Sequence, residues 1–227
     1  TEAGKHLFVE KPIAVDPTGV RQFMKAVKKH EAMGLSLVAG TQGRHDKACI
    51  ETMSKIRDGA IGDVQALRAY NCRGLPWCVE RDPAWGDLEY QLRNWYNYCW
   101  CSGDSIVEQA IHTIDRCNWV MGGHPESVFA SGGRAWKPRT EVYGDIWDHM
   151  SCDLTYAGGT PLAFYDRHWT GCADAGGLEA IGTKGRSTGR DMAEWDGDAT
   201  VQEHQDLIAS IRGTGPRFHE GLRVAES

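Results

Sequence analysis

Two rhythms of apolar residues divide this chain. Leu7, Phe8 and Val9 form an unbroken apolar run, and "LSLVAG" at 35–40 forms a second. Such runs suit strands buried on both faces, as in parallel sheets. Between them Val20, Phe23, Met24 and Val27 recur at helical spacing, with Lys25, Lys28 and Lys29 on the opposite face. Asp16 predicts the N-cap of that helix, Pro17 its first position and Gly34 its stop. "RHDKACIETMSKIRDGAIG" predicts another helix, ending near Gly59. Residues 5–59 thus read strand–helix–strand–helix, the closing part of a doubly wound α/β unit.

The pattern changes at Ile61. "IGDVQALRAYNCRG" at 61–74 predicts a longer strand with mixed faces. Residues 75–101 carry Trp77, Trp85, Tyr90, Trp95, Tyr96, Tyr98 and Trp100 with no ruling period, which predicts a long ordered loop. Residues 104–121 read as one continuous helix with Ile106, Ala110, Ile114 and Cys117 on one face, stopped by Gly122-Gly123. Strands are then expected at 125–133, 147–157, 160–169 and 177–186, with Ala157-Gly158-Gly159 as a hairpin tip. Strands joined this way imply a mostly antiparallel sheet. A capped amphipathic helix is expected at 200–215, and another begins at the chain's end.

Composition narrows the classes. With 227 residues, 41% apolar and 25% charged, the chain is ordinary for a soluble globular protein of one large or two small domains. The formal net charge of -6 argues against nucleic-acid binding. No apolar run approaches the ~20 residues of a membrane span. The eight cysteines form no C-x-x-C pair, and Cys99-x-Cys101 is a poor zinc signature. Reduced, buried thiols are the expectation.

Glu108 and His112 lie four apart on the predicted helix, with Asp115 three further on. A carboxylate beside an imidazole orients it and raises its basicity, as a general base requires. A surface i,i+4 pair is the alternative. These residues with His124 or His149 could also ligate a metal, but H-E-x-x-H is absent, so no metal site is expected. Lys11, between Glu10 and Pro12 at a strand end, could polarise a hydroxyl or carbonyl oxygen. Gln42 and Arg44 follow the second strand, so both strand ends point to one edge, where ligands dock in open α/β sheets. The aromatic stretch fits a core or a set of faces for sugar rings.

A buried strand ending in E-K-P, a helix, and a strand leading to "GTQGRHD" resemble the Gfo/Idh/MocA family, the glucose–fructose oxidoreductase and inositol dehydrogenase relatives. "GDSIVEQAIHTIDRCNWVMG" is similar to that family's second hallmark, an acidic residue four before a histidine. "GLEAIGTKG" and "EHQDLIASIRGTGP" resemble its later strand and helix. The resemblance implies an α/β plus α+β fold: residues 1–59 as the C-terminal part of a Rossmann domain, and 60–227 as a substrate and oligomerisation domain with a large open sheet. The family's G-x-G-x-x-G turn is absent, so the chain is expected to begin mid-domain, without the main phosphate-binding segment, and to stop early.

By the same resemblance, the cofactor would be NAD or NADP, with Glu10, Lys11, Pro12, Gln42 and Arg44 on its side. Lys11, His112 and Glu108 would be catalytic, with His112 as the base. Glu108 stands where aspartate is more frequent, and Gln42 where many members have asparagine. Lys11, Arg44, Trp95, Tyr96 and Asp115 would meet the substrate. The implied activity is hydride transfer from a secondary hydroxyl of a sugar, glycoside or cyclitol. The alternatives are a redox glycosidase acting by transient C3 oxidation and elimination, or a non-catalytic dimerisation module. The expected partners are a small polyol and further copies of the chain, with neither nucleic acid nor membrane.

Overall fold

The structure, a computed structural model, describes residues 2–227. Its first layer is small. Strands β1 (Leu7–Val9) and β2 (Leu37–Ala39) pair in parallel, Leu7 opposite Leu37 and Val9 opposite Ala39. Helix α1 (Pro17–Ala32) connects them, and the Asp16 carboxylate accepts from the N–H groups of Thr18 and Gly19. That cap and Pro17 satisfy the helix start as the sequence leads one to expect. After a 3-10 turn at Gln42–His45, helix α2 (Lys47–Arg57) is capped in the same manner by Asp46.

The second layer is a six-stranded sheet in the order β4-β5-β6-β3-β7-β8. Its members are β3 (Val64–Arg73), β4 (Ser127–Gly133), β5 (His149–Thr155), β6 (Pro161–His168), β7 (Ala175–Gly182) and β8 (Arg186–Ser187). All neighbours are antiparallel except β3 and β6. The mixed α/β class with a mostly antiparallel open sheet is thus as expected. The strand expected at 177–186 is two strands, because Gly182 N–H bonds to the Gly185 carbonyl in a tight turn.

Strand alternation decides the two faces. Leu67, Leu162, Leu154 and Ala180 fall in one cross-strand row, and Ala69, Phe164, Cys152 and Leu178 in the next on the same face. That face packs against Met53 and Ile56 of α2 and against helix α6 (Ile111–Met121) through Ile114, Cys117 and Val120. The intervening rows, with Arg68, Tyr70, Tyr165 and Phe129, face outward, and Phe129 is 76% exposed. One side of the sheet is therefore open.

The sequence misjudges two places. The stretch 75–101 is not a loop but contains helix α3 (Asp87–Arg93), a 3-10 turn at Trp95–Asn97 and a single turn, α4 (Cys99–Ser102). Its interior combines buried Tyr90, Tyr96 and Tyr98 with a polar network. Asn94 Oδ1 accepts from the Val79 N–H and from Asn97 Nδ2, while Asn94 Nδ2 donates to the Val142 carbonyl. Leu88 meanwhile points to solvent, so no apolar stripe marks the helix. The second place is the expected 104–121 helix, which divides into α5 (Asp104–Glu108) and α6.

The last two helices return to the first layer. Helices α7 (Ala199–Ile211) and α8 (Gly221–Glu226) pack on β2 and α1, and residues 218–220 run beside Leu37. His45 fastens this return: its Nδ1 bonds to Asp206 of α7 at 2.7 Å, and its Nε2 lies 3.4 Å from Glu220. Burial alone would push this imidazole down, but the Glu220 and Asp206 hydrogen bonds win and hold it above its ordinary value of 6.5. Because the folded value is raised, the stabilisation is complete below pH 6.5 and fades as pH rises through the raised value. The denaturant midpoint should therefore fall as pH climbs above 6.5, and His45→Gln should flatten that fall. A wild-type midpoint unchanged across this range would contradict the clamp.

Candidate active site

The break between α5 and α6 creates the site. The N–H groups of Gln109 and Ala110 both bond to the Ser105 carbonyl at 2.9 Å, and the next turn is built on the Ala110 carbonyl. The bond from Ala110 spans five residues, the local geometry of a π-bulge. The Glu108 carbonyl is turned out of the ladder. Lys11 fills the gap: its Nζ donates to the Glu108 carbonyl at 2.5 Å and to Glu108 Oε1 at 2.7 Å. Lys11 stands two residues beyond β1, and its peptide bond to Pro12 is cis. The ends of β1 and α5 are thereby locked together, at positions 97 apart in sequence. Both side chains are largely buried, so removing either partner would leave an uncompensated charge.

Four residues later, His112 lines a cleft of about 680 Å³ with Gln42, Asp115, Gln109 and Arg116. Burial, and then the Lys11 charge, push its imidazole down to about 4. It is therefore neutral at pH 7 and has a nitrogen lone pair available to a proton. Glu108 and Asp115 pull the other way and are outweighed. The carboxylate of Glu108 thus serves Lys11 directly, while the i,i+4 face argued from the sequence is interrupted.

The remaining expected site residues fall into separate groups. Arg44 grips Asp115 in a bidentate pair, Nε to Oδ2 at 2.8 Å and Nη2 to Oδ1 at 2.9 Å, and stacks over Trp119 at 4.4 Å. Asp115 is only 2% exposed, so this pair joins the turn after β2 to α6. Glu10 lies against Gly40, where a Cβ would come within 2.3 Å of Glu10 Oε2. Pro12 faces a different, apolar cleft of about 430 Å³ lined by Ile13, Ile106, Ile111 and Val224. Tyr96 is 6% exposed and stacks on His168, with Trp95 half-buried beside it. Burial, then the Glu108 carboxylate, hold the Tyr96 phenol well above its usual range.

A polar floor under this corner escaped the sequence reading. His168 at the end of β6 bonds to Ser105 at 3.2 Å, and burial pushes it down to about 4. Next to it Asp166 accepts from Asn71 at 2.6 Å, and burial raises its carboxyl to about 6. Register could have found this pair, since Asn71 and Asp166 are direct cross-strand partners at the carboxyl ends of β3 and β6. Arg116 was missed too, though it stands four residues after His112, the spacing already used for Glu108. Among the described residues, no group of three or more His, Cys, Asp or Glu could hold a metal ion, and no described helix is long and apolar enough to cross a membrane.

A mostly antiparallel sheet covered by helices on one face frames this site. Residues 51–188 match the GFO/IDH/MocA C-terminal domain model, and the chain belongs to that family. It is 27% identical over 184 residues to the uncharacterized oxidoreductase YrbE of Bacillus subtilis, covering 81% of this chain and 48% of that one. It is 29% identical over 157 residues to inositol 2-dehydrogenase of Rhizobium meliloti, covering 69% and 41%. Against the solved scyllo-inositol dehydrogenase of Lactobacillus casei, with bound NAD(H) and scyllo-inositol, the TM-score is 0.70 at 20% identity. That alignment covers 99% of this chain and 69% of the other, and is a likeness of fold. The chain spans under half the length of the two curated relatives.

Because burial and then the Lys11 charge hold the His112 imidazole down, Lys11→Met should raise its titration midpoint above the wild-type value of about 4 while burial keeps it below 6.5. Nitrogen-15 NMR of labelled histidine would follow this. A wild-type midpoint at or above 6.5, or no rise in the variant, would contradict the placement.

Proposed function

We propose that the full-length protein oxidises a secondary hydroxyl of a sugar, glycoside or cyclitol to a ketone, with a nicotinamide dinucleotide as oxidant. One observation carries the reading: the Lys11 ammonium and the neutral His112 are brought to the same corner by the break after Glu108. The inositol dehydrogenases among its relatives agree with it.

The residues at the corner fit the nicotinamide end of such a cofactor. Gly40 leaves no space for a side chain against Glu10 and the Lys11 backbone, so the two strand ends close into a rim. Glu10, Lys11 and Gln42 would hold the ring there, while Pro12 borders the separate apolar cleft. When bound, the cofactor takes up the hydride from the carbinol carbon.

The chain's own residues handle the oxygen and its proton. An ammonium has three N–H donors, and Glu108 engages two of those on Lys11. The third is free to donate to the substrate oxygen, stabilising negative charge as the O–H bond breaks. Neutral His112 accepts that proton. With a midpoint of about 4 it does not retain it at pH 7, so the base is regenerated by release to solvent. The proton goes to His112, the electron pair of the C–H bond to the cofactor, and the C=O bond forms. Arg44 and Asp115 act one step back: their mutual grip fixes α6, and with it the His112 backbone. Tyr96 closes the corner against Glu108.

The test uses the full-length gene product with NAD and, separately, NADP, against sugars, cyclitols and aryl glycosides. Reduced cofactor should accumulate with at least one polyol. His112→Ala should lower kcat by about 10²–10⁴-fold, and Lys11→Met by about 10²–10³-fold. Aglycone release with no net reduced cofactor would replace this reading by the redox glycosidase. An unchanged rate in both variants would refute the assignment of these residues.

A further inference from the structure

The cleft beside His112 has a charge that the rest of the molecule does not predict. The whole chain carries a net charge of -6. Two carboxylates line the cleft, and each is already neutralised. Asp115 is held by Arg44, and Asp46 accepts from Arg190 Nε at 2.7 Å. Arg73 and Arg116 also line it, and among the described residues neither has a carboxylate partner. Two positive charges are therefore left uncompensated in one concave site.

Their placement is specific. Arg116 sits one helical turn beyond His112 and depresses its imidazole, so the guanidinium and the neutral imidazole share one wall. Its stem passes the turn at Gly43, where a Cβ would stand 3.6 Å from Arg116 Cδ. Its Nη2 would lie 3.7 Å from a Cβ at Gly177 of β7. Arg73 closes the same end from the carboxyl end of β3, its Nε tied to Asn71 Oδ1 at 3.0 Å. The tie fixes the stem and leaves the outer guanidinium nitrogens free. Gly176, opposite Asn71, has nothing within 4 Å of where a Cβ would be. Two guanidinium groups thus flank a backbone-walled recess beside the proton acceptor. Planar guanidinium forks match the paired oxygens of carboxylates and phosphates.

We infer that the substrate carries an anionic oxygen group, a carboxylate or a phosphate, and that Arg116 and Arg73 receive it while the oxidised hydroxyl lies at Lys11 and His112. Within the polyols of the proposed reaction, the preferred substrate is then a sugar acid or a sugar phosphate. This rests on the cleft being the substrate site of the proposed reaction. Arg116 and Arg73 are specificity residues here and take no part in the proton or hydride transfer.

The test measures affinity by calorimetry on the full-length protein saturated with NAD, which keeps the cofactor's own phosphates out of the comparison. The probes are D-glucuronate, D-glucose 6-phosphate and D-glucose. At least one anion should bind about tenfold or more tightly than glucose, with the advantage shrinking as salt is raised. The tighter of the two identifies the group. Arg116→Gln should remove the advantage by lowering anion affinity far more than glucose affinity, and Arg73→Gln should reduce it, so the result does not hang on one variant's folding. Equal affinities for all three probes, no binding of either anion, or an advantage that survives both substitutions would overturn the inference. Turnover is read separately in the same samples. An anion preference without reduced cofactor from any probe supports the anion recess and strikes hydride transfer. Turnover of glucose with no anion preference does the reverse.

Discussion

The contact from Lys11 to Glu108 is what the rest of the site depends on. One ammonium bonds a backbone carbonyl and a carboxylate of the same residue, at 2.5 and 2.7 Å. The carbonyl is available only because the helix is interrupted at Gln109 and Ala110. The carboxylate is placed by the same interruption. A strand end from the first layer is thereby fixed to the helix that backs the second. His112 then sits within reach of the Lys11 charge, and that charge with burial keeps the imidazole neutral. Geometry and protonation state follow from one local defect in a helix.

Two further polar contacts hold the layers in register around it. Arg44 and Asp115 join the turn after β2 to α6. His45, between Asp206 and Glu220, ties the closing helices to that same turn, and Glu220 Oε2 also accepts from the Ala39 N–H. The apolar core lies elsewhere, between the sheet and the α2–α6 face. Apolar packing therefore dominates the second layer, while the seam between layers combines paired charges with a small apolar cluster of Ala39, Ile111 and Val224. Such charge pairs fix relative position more than they add stability.

Much of the architecture was legible in the sequence, and the exceptions share a cause. Local signals were reliable. Asp16 and Pro17 start a helix because cap and ring satisfy the backbone there. Apolar runs and turn signals located the strands that carry Leu67, Ala69, Leu162 and Phe164, which pairing then sets on one sheet face. Lys11, Glu108 and His112 were also visible, from two short motifs and the family resemblance. What could not be read depends on partners far along the chain. No glycine or proline marks the break after Glu108, since Lys11 stabilises it from 97 residues away. Helix α3 hides because it buries only Tyr90, while Leu88 and Leu92 are exposed, so no apolar stripe marks it. The docking of α7 and α8 on the first layer rests on His45 and Glu220, which periodicity cannot pair.

The central claim is that this corner removes a hydride from a carbinol carbon while Lys11 and His112 handle the oxygen and its proton. The most direct measurement supplies the full-length protein with NAD and a polyol deuterated at its carbinol carbons, then locates the label by NMR. The account predicts deuterium at C4 of the reduced nicotinamide, on one face only, and no such label in the His112→Ala variant at equal time. Ketone formed with the deuterium lost to water, or label transfer undiminished without His112, would contradict it.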